Sequence, residues 1–259
     1  MNKTALWALI IALFIPFIGF LLVKDFSKNA VHMPRRYFYD SVAVVEKAGK
    51  RTTDTLWHSV KNISFINQNG KPVSLNDARG KIIVLNFFFT RCPTICPGLT
   101  VNMKRLQQSY VKNDSIVQFI SISVDPENDS VPQLRHFANR FNANQDNWWF
   151  VTGNKKEIYD FALTEMKASV ADTDVDTAFI HTENFFLLDS SRVVRGWYNG
   201  FDTVQLAQLA RDIPILMLEK GKNSPSFFRN FIPILPIIIF GIVAAIAITI
   251  FISKRKPRE

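Results

Sequence analysis

The chain has 259 residues, enough for one or two domains with a sizeable core, and 47% of them are hydrophobic. Its formal net charge is +9, of which about +5 falls on the long middle and the rest on Lys3 and the tail after Ile252. No dense Lys/Arg stripe with interleaved aromatics accompanies that charge, which argues against a nucleic-acid partner and leaves solvated faces and attraction to anionic membrane or partner surfaces.

Residues 1–4 form a short N-terminus ahead of an uncharged stretch, Ala5 to Val23, whose 19 residues are read as a transmembrane helix. Such a helix is about 28 Å long, enough to span a bilayer. Lys24-Asp25-Phe26-Ser27-Lys28 follows with no small-x-small cleavage site, and no lipid-carrying cysteine is present, so an uncleaved anchor is expected. Residues 24–57 read as a connecting segment of little periodicity, with room for a short strand at Val42 to Val45. His32 and His58 have no partner group at metal-binding spacing and read as surface residues.

From His58 the pattern tightens. Ile63 to Ile66 and Pro72 to Leu75 flank Asn67-Gln68-Asn69-Gly70-Lys71, a hairpin signal. The apolar run Ile82 to Phe89 reads as a strand buried on both faces. A short loop then carries the only two cysteines, Cys92 and Cys96, and Pro97 opens a helix on which Leu99, Met103, Leu106 and Tyr110 recur. Val117 to Val124 is a further strand ending at Asp125-Pro126, and Leu134 to Phe141 a helix with His136 as an ordinary surface residue. Trp148 to Val151 is a strand and Lys155 to Leu163 a helix. Asn184 to Leu188 and Val193 to Tyr198 pair as a hairpin, and a last helix runs from Thr203 to Lys220 with Pro214 expected to kink or divide it. This order is that of a thioredoxin-like α/β domain over residues 58–220, a mixed sheet flanked by helices.

Residues 221–230 form a polar linker into a second uncharged stretch, Phe231 to Ile252, whose 22 residues are again read as a transmembrane helix. The basic tail at 253–259 places the C-terminus in the cytoplasm by the positive-inside rule. Two spans return the N-terminus to the same side, so the domain between them faces away; in a bacterial inner membrane that is the periplasm, where cysteines can be oxidised.

The dithiol loop carries the chemistry. Exposed N–H groups at a helix start favour negative charge, so a thiol there ionises more readily, and Arg91 adds a positive neighbour. Two thiolates four residues apart can converge on one soft cation or close on each other as a disulfide. His181, just before the strand at Asn184, is the remaining donor; a histidine in such a loop is, on its own, a plain loop residue as readily as a ligand.

The run Phe89 to Pro97, then Ser123-Val124-Asp125-Pro126-Glu127-Asn128-Asp129, then Trp149 to Gly153, and finally His181-Thr182, resembles the Sco/SenC family of copper-handling proteins over about residues 58–220. The resemblance implies that Cys92, Cys96 and His181 are copper ligands and that the chain serves assembly of the copper centre of cytochrome c oxidase, with that enzyme's copper-binding subunit as partner. Thr94 and Ile180 stand where family members often carry acidic residues, which removes negative charge from the site. A second membrane span is an addition to the usual single N-terminal anchor. The ligand chemistry agrees: two thiolates and an imidazole suit Cu(I), and the imidazole with a water or carboxylate helps hold Cu(II). A structural zinc site would want four protein ligands.

Two functions follow from the same thiols. One is a membrane-anchored copper chaperone. The other is a thiol–disulfide oxidoreductase that uses Cys92 and Cys96 as a redox pair, reduces partner cysteines before metallation, and is itself served by a thioredoxin-like reductant. A thiol peroxidase is a weaker third reading, since the cysteine pair offers no peroxide pocket.

Overall fold

The computed structural model describes Gly19 and residues 33–47, 50–110, 115–168 and 182–219. The stretches read as membrane spans, 5–23 and 231–252, lie outside the described residues apart from Gly19; among the described residues no helix is long and apolar enough to cross a membrane. The chain divides into two units, Met1–Leu218 and Glu219–Glu259, and Glu219 alone is described in the second.

The first elements depart from the sequence reading. Strands β1 (Tyr39–Lys47) and β2 (Lys50–Trp57) form an antiparallel ribbon of their own where a connecting segment with a single short strand was expected. Val42, Val44 and Leu56 stay exposed, so neither face is buried and no alternation marks the strands. Next come β3 (Ser64–Asn67) and β4 (Pro72–Ser74), paired as the Asn-Gly signal predicts. The Asn67 side-chain oxygen accepts the N–H groups of Asn69 and Lys71 at 3.0 Å each, and Gly70 turns the chain at φ +76°, where a side chain is strained.

The central run forms β5 (Ile82–Phe88), buried throughout, followed by α1 (Ile95–Gln108), β6 (Val117–Ser123) and α2 (Val131–Arg140). Then come β7 (Trp148–Thr152), α3 (Lys155–Asp160) passing into a π-helical turn at Phe161–Glu165, β8 (Asn184–Leu188), β9 (Val194–Asn199) and α4 (Thr203–Met217). Seven strands lie in the order β4-β3-β7-β6-β5-β8-β9. β5, β6 and β7 are parallel, and the two flanking hairpins join them antiparallel. This is the thioredoxin-like mixed sheet expected from the order of elements.

Side chains alternate across β5 and divide the core in two. Ile82, Val84 and Phe88 point to one face, where they meet Leu99 and Met103 of α1, Phe137 of α2 and Ile213 of α4. Ile83, Leu85 and Phe87 point to the other, against Ile158 of α3, Phe161 and Leu75. Asn86 is the polar exception; its side-chain Oδ1 accepts from Ser121 Oγ at 2.7 Å, and Ser121 in turn accepts from Trp148 Nε1 at 3.0 Å.

Pro214 does not divide α4, which runs unbroken from Thr203 to Met217. Proline removes the hydrogen bond that residue 210's carbonyl would accept. Here Tyr110 Oη donates to the Ala210 carbonyl at 2.8 Å and fills the gap from another helix's end.

A core position and the ribbon should respond differently to truncation. Leu85→Ala, in the fully buried strand, is expected to cost about 2–5 kcal/mol in urea unfolding, whereas Leu56→Ala on the exposed ribbon should stay within about 0.5 kcal/mol.

Candidate metal centre

The parallel strands β5 and β6 end side by side, and the loops that follow them build the site. Functional residues collect at the carboxyl ends of parallel strands because the loops there converge above the sheet. β5 runs into Phe89–Thr94, which carries Cys92, and β6 runs into Val124–Ser130, the Asp-Pro stretch.

Cys92 and Cys96 are free thiols, 5% and 3% exposed. α1 begins at Ile95, so Cys96 stands in its first turn and Cys92 just ahead of it. No side chain of Thr94 caps the helix; instead the Cys96 N–H donates to Cys92 Sγ at 3.4 Å. The sulfur thus occupies the place where a capping oxygen would sit. The Thr94 hydroxyl lies 3.9 Å from the same sulfur.

This geometry splits the two acidities. The hydrogen bond from the Cys96 thiol, joined by the N–H groups of Cys96 and Thr94 and the Thr94 hydroxyl, pulls the Cys92 thiol down to about 5 against the opposing push of burial. Cys96 is pushed the other way, by donating its proton to Cys92 and by burial. The pair is therefore a thiolate beside a thiol. Thr94 contributes a donor that favours the thiolate.

Arg91 acts differently from the sequence reading. Its guanidinium donates to Asp125 Oδ2 at 2.7 Å, so its charge is paired with a buried carboxylate. Asp125 also accepts from Asn128 Nδ2 at 2.8 Å. Asp129 is fully buried and does more for the loop: it accepts the Thr90 N–H at 3.1 Å, the Thr90 hydroxyl at 2.5 Å and the Ser123 hydroxyl at 2.5 Å. One carboxylate thus fastens the start of the dithiol loop to the end of β6. Sequence reasoning assigned Asp125 and Asp129 no role. The available signal was two acids directly after a buried strand, where a carboxylate must find donors.

His181 lies outside the described residues, and among the described residues no group of three or more His, Cys, Asp or Glu side chains forms a metal cluster. Thr182, the next described residue, is buried. The Glu183 carbonyl accepts the Gly200 N–H at 2.7 Å, and the Gly200 carbonyl accepts Asn102 Nδ2 of α1, also at 2.7 Å. A Cβ on Gly200 would lie 2.3 Å from Leu99 Cδ2, so only glycine lets this strand end approach α1 so closely. Glu183 is in this way linked through Gly200 to the dithiol helix.

The other histidines divide. His136 is exposed on α2, as expected. His58 is not a plain surface residue: Nδ1 lies 2.6 Å from Asp40 and Nε2 lies 2.9 Å from Glu165, which also accepts the Lys61 N–H at 3.1 Å. The Glu165 hydrogen bond, followed by Asp40, raises the His58 pKa. The imidazole clasps the base of the β1–β2 ribbon to the domain.

The split acidity has a direct test. Alkylation of Cys92 by iodoacetamide should rise with pH through a midpoint near 5, while Cys96 stays unreactive across the neutral range. Cys96→Ala removes the principal donor and should move that midpoint upward, towards the ordinary thiol value of about 8.5.

Comparison with known proteins agrees with this architecture. The SCO1/SenC family profile matches residues 54–217. The SCO1 protein homolog of Bacillus subtilis is 37% identical over 166 residues, covering 64% of this chain and 86% of that protein. A Stutzerimonas stutzeri protein, named as a candidate copper-binding protein, is 27% identical over 162 residues, with 61% of this chain and 77% of that one covered. Among solved structures, a SCO1/SenC family lipoprotein from Bacillus anthracis superposes with a TM-score of 0.56 at 33% identity, covering 62% of this chain and 95% of that one. BsSco, described as a member of the Sco family of cytochrome c oxidase assembly proteins with a disulfide switch, superposes at 0.55 and 38% identity, over 64% and 96%. With its family profile spanning more than half of its length, on a thioredoxin-like sheet that ends in a dithiol loop, the chain belongs to the SCO1/SenC family.

Proposed function

We propose that this protein is a membrane-anchored copper chaperone that binds copper through Cys92, Cys96 and His181 and delivers it to the copper-binding subunit of cytochrome c oxidase. One observation carries the reading: two free, adjacent thiols, with the Cys96 N–H donating to the Cys92 sulfur, in the loop and helix start that follow the carboxyl end of β5. Soft sulfur donors select Cu(I), and a single imidazole completes a three-ligand site while supporting Cu(II) with a water or carboxylate. A three-ligand site leaves the ion open to attack by a partner's thiolates, which is how a carrier lets its cargo go. Membership of a family whose relative BsSco is described in cytochrome c oxidase assembly supports the destination. The link from Glu183 through Gly200 to Asn102 of α1 supports His181, two residues earlier in the chain, as the third donor.

The split acidity favours a second activity of the same pair. The Cys92 thiolate attacks a partner disulfide, forming a mixed disulfide and releasing one partner thiolate. Cys96 then attacks the Cys92 sulfur, closing the Cys92–Cys96 disulfide and releasing the second partner sulfur, with the Cys96 proton passing to a departing thiolate. Two electrons move to the partner, and a thioredoxin-like reductant restores the dithiol.

His181 separates the two. Cys92→Ser or Cys96→Ser should each abolish tight Cu(I) binding by the purified chain. His181→Ala should weaken it and most damage the Cu(II) form, while dithiol exchange persists because that reaction needs only the sulfurs. Loss of oxidase copper in cells carrying His181→Ala, with exchange intact in vitro, establishes delivery; normal oxidase copper overturns it in favour of the reductase.

Anchoring at both ends of the domain, with the domain in the periplasm of a bacterial inner membrane, completes the proposal. It is supported by the uncharged stretches 5–23 and 231–252 and the basic tail. A reporter fused after Glu259 should read as cytoplasmic and one inserted at Asn223 as exported; the same side for both would remove the two-span topology.

A further inference from the structure

The imidazole of His58 stands between two carboxylates from distant parts of the chain. Nδ1 lies 2.6 Å from Asp40 Oδ1 on β1, and Nε2 lies 2.9 Å from Glu165 Oε2 in the π-helical turn. A neutral imidazole carries one N–H and an ionised carboxylate accepts only, so both contacts are hydrogen bonds only when the ring is the imidazolium. Against the upward push of burial, the Lys61 N–H at 3.1 Å and then His58 hold the Glu165 carboxyl below its usual range. Lys61 Nζ adds a contact to Glu165 at 3.3 Å, and Tyr39 and Lys167 line the same cleft. Beyond Glu165, Glu157 and Asp160 line an adjoining hollow, where Asp160 pairs with Lys156 at 2.7 Å. The Glu165 hydrogen bond, aided by Asp40 and opposed by burial, raises the His58 pKa above its ordinary 6.5.

The backbone around this contact has the parts of a hinge. Both flanks of the ribbon are fixed to the domain: the Tyr37 N–H donates to the Val194 carbonyl and the Val60 N–H to the Arg192 carbonyl, each at 3.0 Å. Between them Phe38 has φ +56°, a left-handed conformation that strains a bulky residue, and its carbonyl accepts the His58 N–H at 3.0 Å. Among the described residues β1 and β2 pair with each other and with no strand of the seven-stranded sheet. The cleft between the ribbon's base and the π-helical turn, about 510 Å³ in volume, admits water to the carboxylates. The Asp40 side chain is 50% exposed, and Glu165 keeps Lys61 when His58 lets go, so opening leaves neither carboxylate buried without a donor. We propose that His58 is a proton-operated latch: as imidazolium it ties the β1–β2 ribbon to the π-helical turn through Asp40 and Glu165, and on giving its proton to water it frees the ribbon to swing about Phe38. The latch is whole below pH 6.5, the ring's ordinary value, and is lost as the pH rises through the higher value of the closed protein. It does not involve the dithiol and stands apart from the function proposed above.

The test uses the full chain, reduced, in detergent micelles, from about pH 5 to about pH 9. The Cε1–H resonance of His58, assigned by its absence from His58→Gln, gives the ring's titration midpoint by NMR. Spin labels on ketone-bearing residues introduced at Val44, exposed on the ribbon, and Gln133, exposed on α2, give the ribbon-to-domain distances by double electron–electron resonance. The midpoint should lie above 6.5, and the population with broad, open distances should rise at least about fivefold through it. His58→Gln, which takes up no proton, should show the open distribution at every pH. Asp40→Asn should lower the midpoint and carry the broadening down with it, a joint shift that a folding defect does not produce. Distances that stay unchanged while His58 titrates would overturn the latch. So would a His58→Gln protein that keeps the wild-type pH response, because another group would then be the switch. A midpoint at or below 6.5 would mean that the two carboxylates do not hold the charged ring, and would overturn it as well.

Discussion

The buried carboxylate of Asp129 is the constraint on which the rest of the site depends. A carboxylate taken out of water is costly unless it is fully hydrogen-bonded, and this one accepts a backbone N–H and two hydroxyls. Those donors come from Thr90, at the start of the dithiol loop, and Ser123, at the end of β6. The two strand ends are therefore coupled, because displacing either would leave the carboxylate unsatisfied. Asp125 adds a second tie through Arg91, so two adjacent residues at the loop's start are held by the segment after β6. Rigid support of this kind holds Cys92 where the Cys96 N–H can reach its sulfur.

The same logic explains the chemistry of the pair. A helix start has N–H groups without intrahelical partners, and a sulfur that accepts one of them gains charge stabilisation at little distance. Cys92 is that acceptor and becomes the thiolate; Cys96, in the helix's first turn and donating its own proton, stays a thiol. Burial alone would have raised both. The direction for Cys92 is decided by hydrogen bonds outweighing desolvation, not by Arg91, whose charge is paired with Asp125.

Around this centre the chain carries features that the family match does not span. β1 lies ahead of the matched residues 54–217, and its ribbon is fastened by His58 between Asp40 and Glu165 and by the Tyr37 N–H donating to the Val194 carbonyl at 3.0 Å. Arg195 donates to the Pro34 carbonyl at 2.7 Å and to Asp189 at 2.8 Å, so the incoming segment and the β8–β9 turn share one buried guanidinium. The ribbon is held at its base while its strands face solvent.

The sequence by itself determined the sheet and the dithiol helix, because both rest on local periodicity. An unbroken apolar run reads as a strand covered on both faces, and β5 is buried from Ile82 to Phe88. Leucine and methionine at helical spacing read as the inner face of α1, and Leu99, Met103 and Leu106 are buried. Cys92 and Cys96 were legible because spacing and prolines are local signals too. The β1–β2 ribbon was not, since with neither face buried its residues carry no alternation. Nor was the partner of the Ala210 carbonyl inside α4, a hydroxyl from Tyr110, 100 residues away. The pairing of Arg91 with Asp125, the clasp at His58 and the anchoring by Asp129 are likewise long-range. Only the folded chain decides which donor meets which carboxylate, because a hydrogen bond is specified by position in space and leaves no period in the sequence.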